Sequence, residues 1–164
     1  MPRTYSRIIL HTVFSTKYRQ PLIDPEKEDG LYRAIGQRFK ENKCELIRIN
    51  GGFDHIHAVH SLSRTVSVAD LLQDVKSRSS YWMRNHYPFA PEFWWQVGYY
   101  SVSVDHRNLD GLLTYVDNQK RHHYGSADFA VIQKTFEQEY AQLLTAYGFD
   151  FDPAKEFDLA PESR

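Results

Sequence analysis

Residues 44–62 read CELIRINGGFDHIHAVHSL, and this stretch decides how the chain folds. Apolar and polar residues alternate before the glycine pair and again after it, which is the period of two that half-buried strands show. Two adjacent glycines between such segments suit a tight turn. The stretch therefore predicts an antiparallel hairpin with strands at 44–50 and 54–62.

The second strand of this hairpin carries His55, His57 and His60. Because successive side chains of a strand point to opposite faces, His55 and His57 share one face and His60 lies on the other. Two neighbouring imidazoles suit a divalent metal ion, which then needs further ligands. Taken alone, such a pair is as often structural as metal-binding. We expect the remaining lone histidines, like His60, to be polar or satisfied core residues: His11, His86 and His106.

The flanking segments complete the predicted fold. Their periodicities indicate strands at 5–14 and 97–104, a helix that starts at 24–26 and continues through Phe39, and helices at 67–85, 106–123 and 135–147. The first six elements follow the split βαβ order of an α+β, ferredoxin-like fold, an antiparallel sheet with helices packed on one face. We predict one domain at 1–125, and a C-terminal helix with a loosely attached acidic tail at 126–164.

The composition limits the kinds of protein to which this chain can belong. Residues 1–125 hold 17 Lys and Arg against 13 Asp and Glu, whereas residues 126–164 hold 3 against 8. A mildly basic domain permits nucleic-acid binding without requiring it. The single cysteine, Cys44, excludes an internal disulfide and a cysteine-based zinc site, and we expect it to be buried. No apolar run is long enough for a membrane span and no secretory signal is evident, so we expect a cytoplasmic protein.

The segment GLLTYVDNQKRHH, at 111–123, supplies the groups that the histidine pair lacks. At 3.6 residues per turn, Tyr115, Gln119, His122 and His123 lie beside the apolar stripe of the helix. Tyr115 is a potential nucleophile and Gln119 a neutral oxygen ligand. On its own, a flanking tyrosine is more often half-exposed surface. His122 and His123 could help hold DNA or protons, but for both we expect solvation at the helix end.

The two motifs together suggest a reaction. A divalent cation held by two imidazoles and an amide oxygen can polarise a phosphodiester oxygen. A tyrosine hydroxyl, with a pKa of about 10 when free, becomes a usable nucleophile beside such a cation. Attack at phosphorus would conserve the bond energy in a phosphotyrosine, which permits rejoining of the strand without ATP.

The chain resembles the single-tyrosine HUH transposases, small insertion-sequence transposases that act on single-stranded DNA and include the REP-associated tyrosine transposases. The resemblance covers nearly the whole chain. It is carried by these segments: HTVFSTKYRQPL, FDHIHAVHSL, VKSRSS, FWWQVGYYSVSV, YVDNQKRHH and TFEQEYAQLLTAYG.

This resemblance implies several properties. It implies His55, His57 and Gln119 as ligands of Mg or Mn, and Tyr115 as the nucleophile that forms a 5′-phosphotyrosine. It also implies binding of single-stranded DNA with hairpins and a homodimer formed by joined sheets. In such dimers the tyrosine helix can complete the active site of the partner.

Candidate DNA contacts follow from charge and from aromatic character. Basic side chains near a metal site would hold phosphates, and five are candidates: Lys17, Arg19, Lys76, Arg78 and Arg84. Each alone is more often a solvated surface residue. Three aromatic residues could stack unpaired bases, although core or interface packing is favoured: Tyr5, Trp94 and Trp95.

Two alternative functions remain open from the residues. One is a domesticated DNA-hairpin-binding protein with a regulatory role, whose chemistry is dispensable. The other is a metallohydrolase of small phosphodiesters, which would need neither Tyr115 nor DNA. The presence of both Tyr115 and Gln119 argues against the hydrolase, and the completeness of the motif argues mildly against the binding protein.

Overall fold

The computed structural model describes residues 2–88, 92–124 and 134–157. Four strands and six helices follow one another in the order β1-α1-β2-β3-α2-β4-α3-α4-α5-α6. The strands are β1 Ile9–Ser15, β2 Leu46–Gly51, β3 His55–Ser61 and β4 Tyr100–Ser103. The helices are α1 Pro25–Glu41, α2 Val68–His86, α3 Leu109–Asp117, α4 Gln119–Tyr124, α5 Phe136–Ala146 and α6 Pro153–Glu156.

The strands form one antiparallel sheet in the order β2-β3-β1-β4. This order, with α1 and α2 as the two crossovers, is the predicted ferredoxin-like α+β arrangement. The central pair of strands sets Val13 opposite His57 and Ser15 opposite His55. Strand β4 is shorter than predicted because the chain turns at Gly98, whose φ of +87° is a conformation that glycine adopts without strain.

Helices α1 and α2 cover one face of the sheet. Helix α1 begins where the Asp24 side chain accepts hydrogen bonds from the backbone N–H groups of Glu26 and Lys27, and Ser67 caps α2 in the same way. Their apolar stripes pack on the even-numbered positions of β3, Ile56 and Ala58. Cys44 lies buried at the edge of this core, as predicted.

The opposite face of the sheet is covered by the C-terminal half of the chain. Helix α3 packs near Ile9 and Val59, and α5 packs with Phe157 against Tyr100. The expectation of a loosely attached tail is wrong at Phe157, whose side chain is only 5% exposed and contacts the ring of Phe136. The division at residue 125 stays a prediction, and residues 158–164 lie outside the described part of the chain.

The predicted helix at 106–123 is in fact two helices, because the backbone leaves the α region at Asn118 (φ −93°, ψ 12°). The carbonyl groups of Val116 and Asp117 then need other partners. The side-chain amide of Asn50, on β2, donates to them at 2.9 and 3.2 Å. A side chain of the sheet thus caps the break.

No helix within the described ranges is both long and apolar enough to cross a membrane.

Candidate active site

Strand alternation places His55 and His57 together on the face that α3, α4 and α5 cover, as predicted. Both side chains are fully buried. His60 faces the other way, where its ring nitrogens lie 2.8 Å from Thr12 Oγ1 and 2.9 Å from the carbonyl oxygen of Ser61. His60 is therefore a satisfied core residue, as predicted, and cannot share a ligand with His55 and His57.

Both histidines of the pair are oriented through Nδ1. The Nδ1–H of His55 donates to Asp54 Oδ1 at 2.7 Å. The Nδ1 of His57 lies 2.9 Å from Nε2 of His11 on β1. The Nε2 atoms of both rings therefore face the same point, next to Glu139. His11 is a buried residue, as predicted, but it also contacts the site, which the sequence did not indicate.

Glu139, on α5, is the residue that the sequence analysis missed. Its Oε1 lies 3.2 Å from His57 Nε2, its Oε2 lies 3.5 Å from His55 Nε2, and its side chain is 1% exposed. The three residues offer ligand atoms that all lie within 4.8 Å of one another. A signal was present, because Glu139 stands on the apolar stripe of α5 between Phe136 and Tyr140, where a carboxylate is out of place unless it is paired.

Gln119 and Tyr115 reach the same point despite the break between their helices. Gln119 is fully buried, and its Oε1 lies 3.3 Å from His55 Nε2. Its Nε2 donates to Glu139 Oε1 at 3.0 Å. The Tyr115 hydroxyl also donates to Glu139 Oε1, and its ring centroid lies 5.7 Å from that of His57. One chain therefore brings the tyrosine to its own histidine pair.

His123 does not lie at a solvated helix end, so that expectation is wrong. Its ring is buried, with Nε2 2.5 Å from Glu139 Oε2 and 3.2 Å from Gln119 Oε1. Its Nδ1 donates to the carbonyl oxygen of Lys134 at 2.6 Å. His122 is half-buried, with its ring edge-on to that of Tyr115. The prediction for His123 was wrong because the end of α4 packs against α5. The sequence of α4 alone does not indicate this packing.

The electrostatics of the site are those of a buried carboxylate among imidazoles. Burial raises the pKa of Glu139, but hydrogen bonds from His123 and His55, together with the nearby His57 ring, outweigh it and hold the pKa far below its usual range. Burial lowers the pKa of His55, yet its hydrogen bonds to Asp54 and Glu139 raise it to about 9. Glu139 is thus ionised without a metal, and its charge is balanced by a proton on the imidazoles.

Tyr115 is not an activated nucleophile in this state. Burial, and then the negative charge of Glu139, raise the pKa of its hydroxyl well above the usual value. A positive charge close to the hydroxyl would act in the opposite direction. The buried group of His55, His57 and Glu139 beside it is compatible with such a cation.

The donor set fits such a cation. His57 Nε2 is buried and makes no hydrogen bond to any residue that the structure describes, although Glu139 Oε1 is close. An unpaired imidazole nitrogen in a buried site is unfavourable unless it binds something. His55 Nε2 and Gln119 Oε1 face the same point, so two imidazoles and an amide oxygen are available as ligands.

All five basic residues predicted to contact DNA have a contact within the protein. Arg19 pairs with Glu137 and lies over the Phe157 ring, and Lys17 lies over the ring of Tyr18. Arg19 also lines a cleft of about 370 Å³ next to His123.

The other three basic residues lie on α2. The Lys76 ammonium donates to the carbonyl oxygens of Gln96 and Gly98, and burial lowers its pKa to about 8. Arg84 donates to the carbonyl oxygen of Phe93 and stacks on Trp94. Arg78 is the most exposed of the three, with one contact of 4.0 Å to Asp74. DNA binding by these five residues stays a prediction.

Among the aromatic candidates, Trp95 packs in the core as expected and donates from Nε1 to Ser79 Oγ at 2.9 Å. Trp94 is half-exposed and Tyr5 is almost fully exposed.

Sequence comparison places this site in a known family. The sequence profile of the IS200-like transposases matches residues 4–119, which include both the histidine strand and the tyrosine helix. The ISDra2 transposase TnpA of Deinococcus radiodurans is 25% identical over 114 residues, which are 66% of this chain and 81% of that protein.

Two solved structures share the fold. A protein of Deinococcus radiodurans R1, described as a transposase, superposes with a TM-score of 0.58 at 22% identity, over 73% of this chain and 96% of that one. A REP-associated tyrosine transposase bound to a REP hairpin superposes with a TM-score of 0.58 at 12% identity, over 99% of this chain and 98% of that one. The profile covers most of the chain and both motifs of the site, and the fold agrees: this chain belongs to the family of IS200-like transposases, which are DNA-processing enzymes.

Proposed function

We propose that this transposase cleaves and rejoins single-stranded DNA through a 5′-phosphotyrosine on Tyr115. The observation that carries the proposal is the convergence, in one buried site, of the Tyr115 hydroxyl with the Nε2 atoms of His55 and His57 and the Oε1 atom of Gln119. A phosphodiester placed there would meet a nucleophile and a set of ligands for a divalent cation.

The proposed ligands are His55, His57 and Gln119, and the proposed ion is Mg or Mn. Bound there, the ion would withdraw charge from the phosphodiester and favour the ionised tyrosine. Asp54 and His11 hold the two imidazoles with Nε2 toward the site, in the way that partners of metal-ligating histidines commonly do.

In the proposed step, the Tyr115 oxygen forms a bond to phosphorus and the bond from phosphorus to the 3′ oxygen breaks. The tyrosine hydroxyl loses its proton, and the departing 3′ oxygen takes up one proton to become a 3′ hydroxyl. The reverse attack by a second 3′ hydroxyl releases Tyr115 and rejoins the strand, with no net loss of phosphodiester bonds.

We further propose that the DNA substrate contains a hairpin and that the protein works as a homodimer. The hairpin is suggested by the shared fold with a protein whose structure is bound to a REP hairpin. The homodimer rests on the family resemblance alone. Because Tyr115 already lies at the site of its own chain, cleavage by a single subunit needs no rearrangement of the tyrosine helix.

The proposal is tested by incubating the protein with Mn²⁺ or Mg²⁺ and labelled single-stranded DNA containing hairpins from the region around its own gene. We expect an adduct of protein and DNA that survives denaturation and that disappears in Tyr115→Phe, in His57→Ala and with chelator. Tyr81→Phe, which changes an exposed tyrosine on α2, is the matched control and should retain the adduct.

Two other results would point elsewhere. Hairpin binding without an adduct would favour the domesticated DNA-binding protein. Metal-dependent hydrolysis of small phosphodiesters that survives in Tyr115→Phe would favour the metallohydrolase.

A further inference from the structure

We propose that Glu139 is a carboxylate ligand of the metal ion and also the residue that holds Tyr115 against it. The inference rests on the proposed function, because it adds a ligand to the same site. It assigns an active-site role to α5, which lies beyond the part of the chain, 4–119, that the family profile matches.

The distances support a shared ion. Two ligand atoms that each lie about 2.1 Å from one ion are separated by about 3.0 Å at octahedral angles and about 3.4 Å at tetrahedral angles. The two Glu139 oxygens lie 3.2 Å from His57 Nε2 and 3.5 Å from His55 Nε2. These two pairs therefore already have a spacing close to that of ligands of one ion, and the ligand atoms of the three residues all lie within 4.8 Å of one another.

The charges support it as well. Two neutral imidazoles and an amide supply no negative charge, whereas Mg and Mn prefer anionic oxygen ligands. Asp54 is close, but its Oδ1 is engaged by His55 Nδ1, on the far side of the ring from the site. Glu139 is the buried carboxylate that faces the Nε2 atoms of both histidines. It would offset one of the two charges of the ion.

The same carboxylate positions the nucleophile. Tyr115 OH and Gln119 Nε2 both donate to Oε1 of Glu139. A metal ligand that also accepts a hydrogen bond from the tyrosine hydroxyl keeps the nucleophilic oxygen next to the ion. Helix α5 is in turn joined to the loop after β1 by the ion pair of Glu137 with Arg19.

A simpler role for Glu139 competes with this one. The carboxylate could serve only as an ion-pair and hydrogen-bond partner of His55 and His123 in the metal-free protein. It would then compete with the metal, and neutralising it would leave metal affinity unchanged or increase it. The two roles therefore predict opposite effects of the same substitution.

The test is calorimetric titration of the full-length protein with Mn²⁺, without DNA. We expect Glu139→Gln to weaken Mn²⁺ binding by about tenfold or more, in the range found when groups that support a metal site are lost. Glu26→Gln makes the same chemical change at an exposed position on α1, outside the site, and should change the affinity by less than about twofold. Circular dichroism and thermal unfolding check that each variant folds.

A second variant keeps the test decisive should Glu139→Gln fail to fold. Glu139→Asp keeps the charge but withdraws the carboxylate by one methylene, so we expect weaker Mn²⁺ binding than in the wild type. Wild-type affinity in Glu139→Gln, or in Glu139→Asp, would overturn the inference.

The failure of the inference can be told apart from failure of the proposed function. If His57→Ala abolishes Mn²⁺ binding and Glu139→Gln does not weaken it, the metal site stands without Glu139. If the wild type itself does not bind Mn²⁺, both are overturned.

Discussion

The side-chain amide of Asn50 donates to the backbone carbonyl oxygen of Val116 at 2.9 Å. Asn50 stands opposite His57 in the pairing of β2 with β3. Strand β2, which pairs with the strand of His55 and His57, therefore also stabilises the break between α3 and α4. This break separates Tyr115 from Gln119. Lys120 completes the contact by donating to Asn50 Oδ1 at 2.7 Å.

Replacing Asn50 should disturb the site more than the fold. In Asn50→Ala the carbonyl oxygens at the break lose the hydrogen bonds from the Asn50 amide, which should lower the free energy of unfolding by about 1–2 kcal/mol. We expect the rate of adduct formation to fall by about tenfold or more, because small misplacements of reacting groups cost rate steeply. Asn85→Ala, an exposed position on α2, is the control; an equal loss of rate in both variants would contradict this role for Asn50.

His11 should affect metal affinity although it is not a proposed ligand. Its Nε2 lies 2.9 Å from His57 Nδ1, and loss of such a partner typically weakens metal binding by about 10- to 100-fold. We expect this weakening for His11→Ala in a Mn²⁺ titration, and partial recovery in His11→Gln, whose amide can meet His57 again. His106→Ala, which alters an exposed histidine, should bind Mn²⁺ as the wild type does. Unchanged affinity in His11→Ala would show that Nδ1 of His57 needs no partner.

Gly52 should tolerate no side chain. A Cβ at this position would lie 2.6 Å from the Tyr124 hydroxyl oxygen and 2.9 Å from Cε1 of His55. Gly52→Ala must therefore displace the His55 ring, and we expect weaker Mn²⁺ binding together with a loss of about 1–3 kcal/mol in the free energy of unfolding.

Gly111 provides the matched comparison for Gly52. It lies exposed within α3, and no atom would contact a Cβ there. Gly111→Ala should raise the free energy of unfolding by about 0.5–1 kcal/mol, because alanine loses less backbone entropy in a helix. Denaturant unfolding of both variants checks the contrast, and equal effects would contradict it.

Lys76 and Arg78 should behave differently although both are basic residues of α2. Lys76→Met removes the ammonium that bridges the carbonyl oxygens of Gln96 and Gly98, so we expect a loss of about 1–3 kcal/mol in the free energy of unfolding. Arg78→Ala should leave the free energy of unfolding within about 0.5 kcal/mol of the wild-type value, since Arg78 is exposed.

DNA binding distinguishes the two residues further. We expect Arg78→Ala to weaken binding of single-stranded DNA and to reduce the slope of log affinity against log salt by about 0.7, the value for one phosphate contact. An unchanged slope would remove Arg78 from the predicted DNA contacts.

Patterns within single elements could be predicted from the sequence. Alternation along β3 separates His55 and His57 from His60. Hydrophobic periodicity locates α1 and α2, and the order of strands and helices indicates the ferredoxin-like sheet. These features depend on backbone geometry that repeats every two or every 3.6 residues, so a single chain displays them directly.

The prediction of one continuous helix at 106–123 was wrong, because the interruption depends on a residue of another element. Nothing in YVDNQ itself requires a break, and a continuous helix also places Tyr115 and Gln119 one turn apart. The break at Asn118 is stabilised by Asn50 of β2. A cap supplied by a residue distant in sequence leaves no local signal.

What the sequence by itself determined is the sheet, its two covering helices and the side of β3 on which the histidine pair lies. Only the tertiary structure decided which further residues meet that pair: His11 from β1, His123 from α4 and Glu139 from α5. The physical reason is that strand and helix periodicity fixes the direction of a side chain within its own element. The partner across the interface is chosen by how the elements pack, and packing depends on burial and charge summed over the whole core.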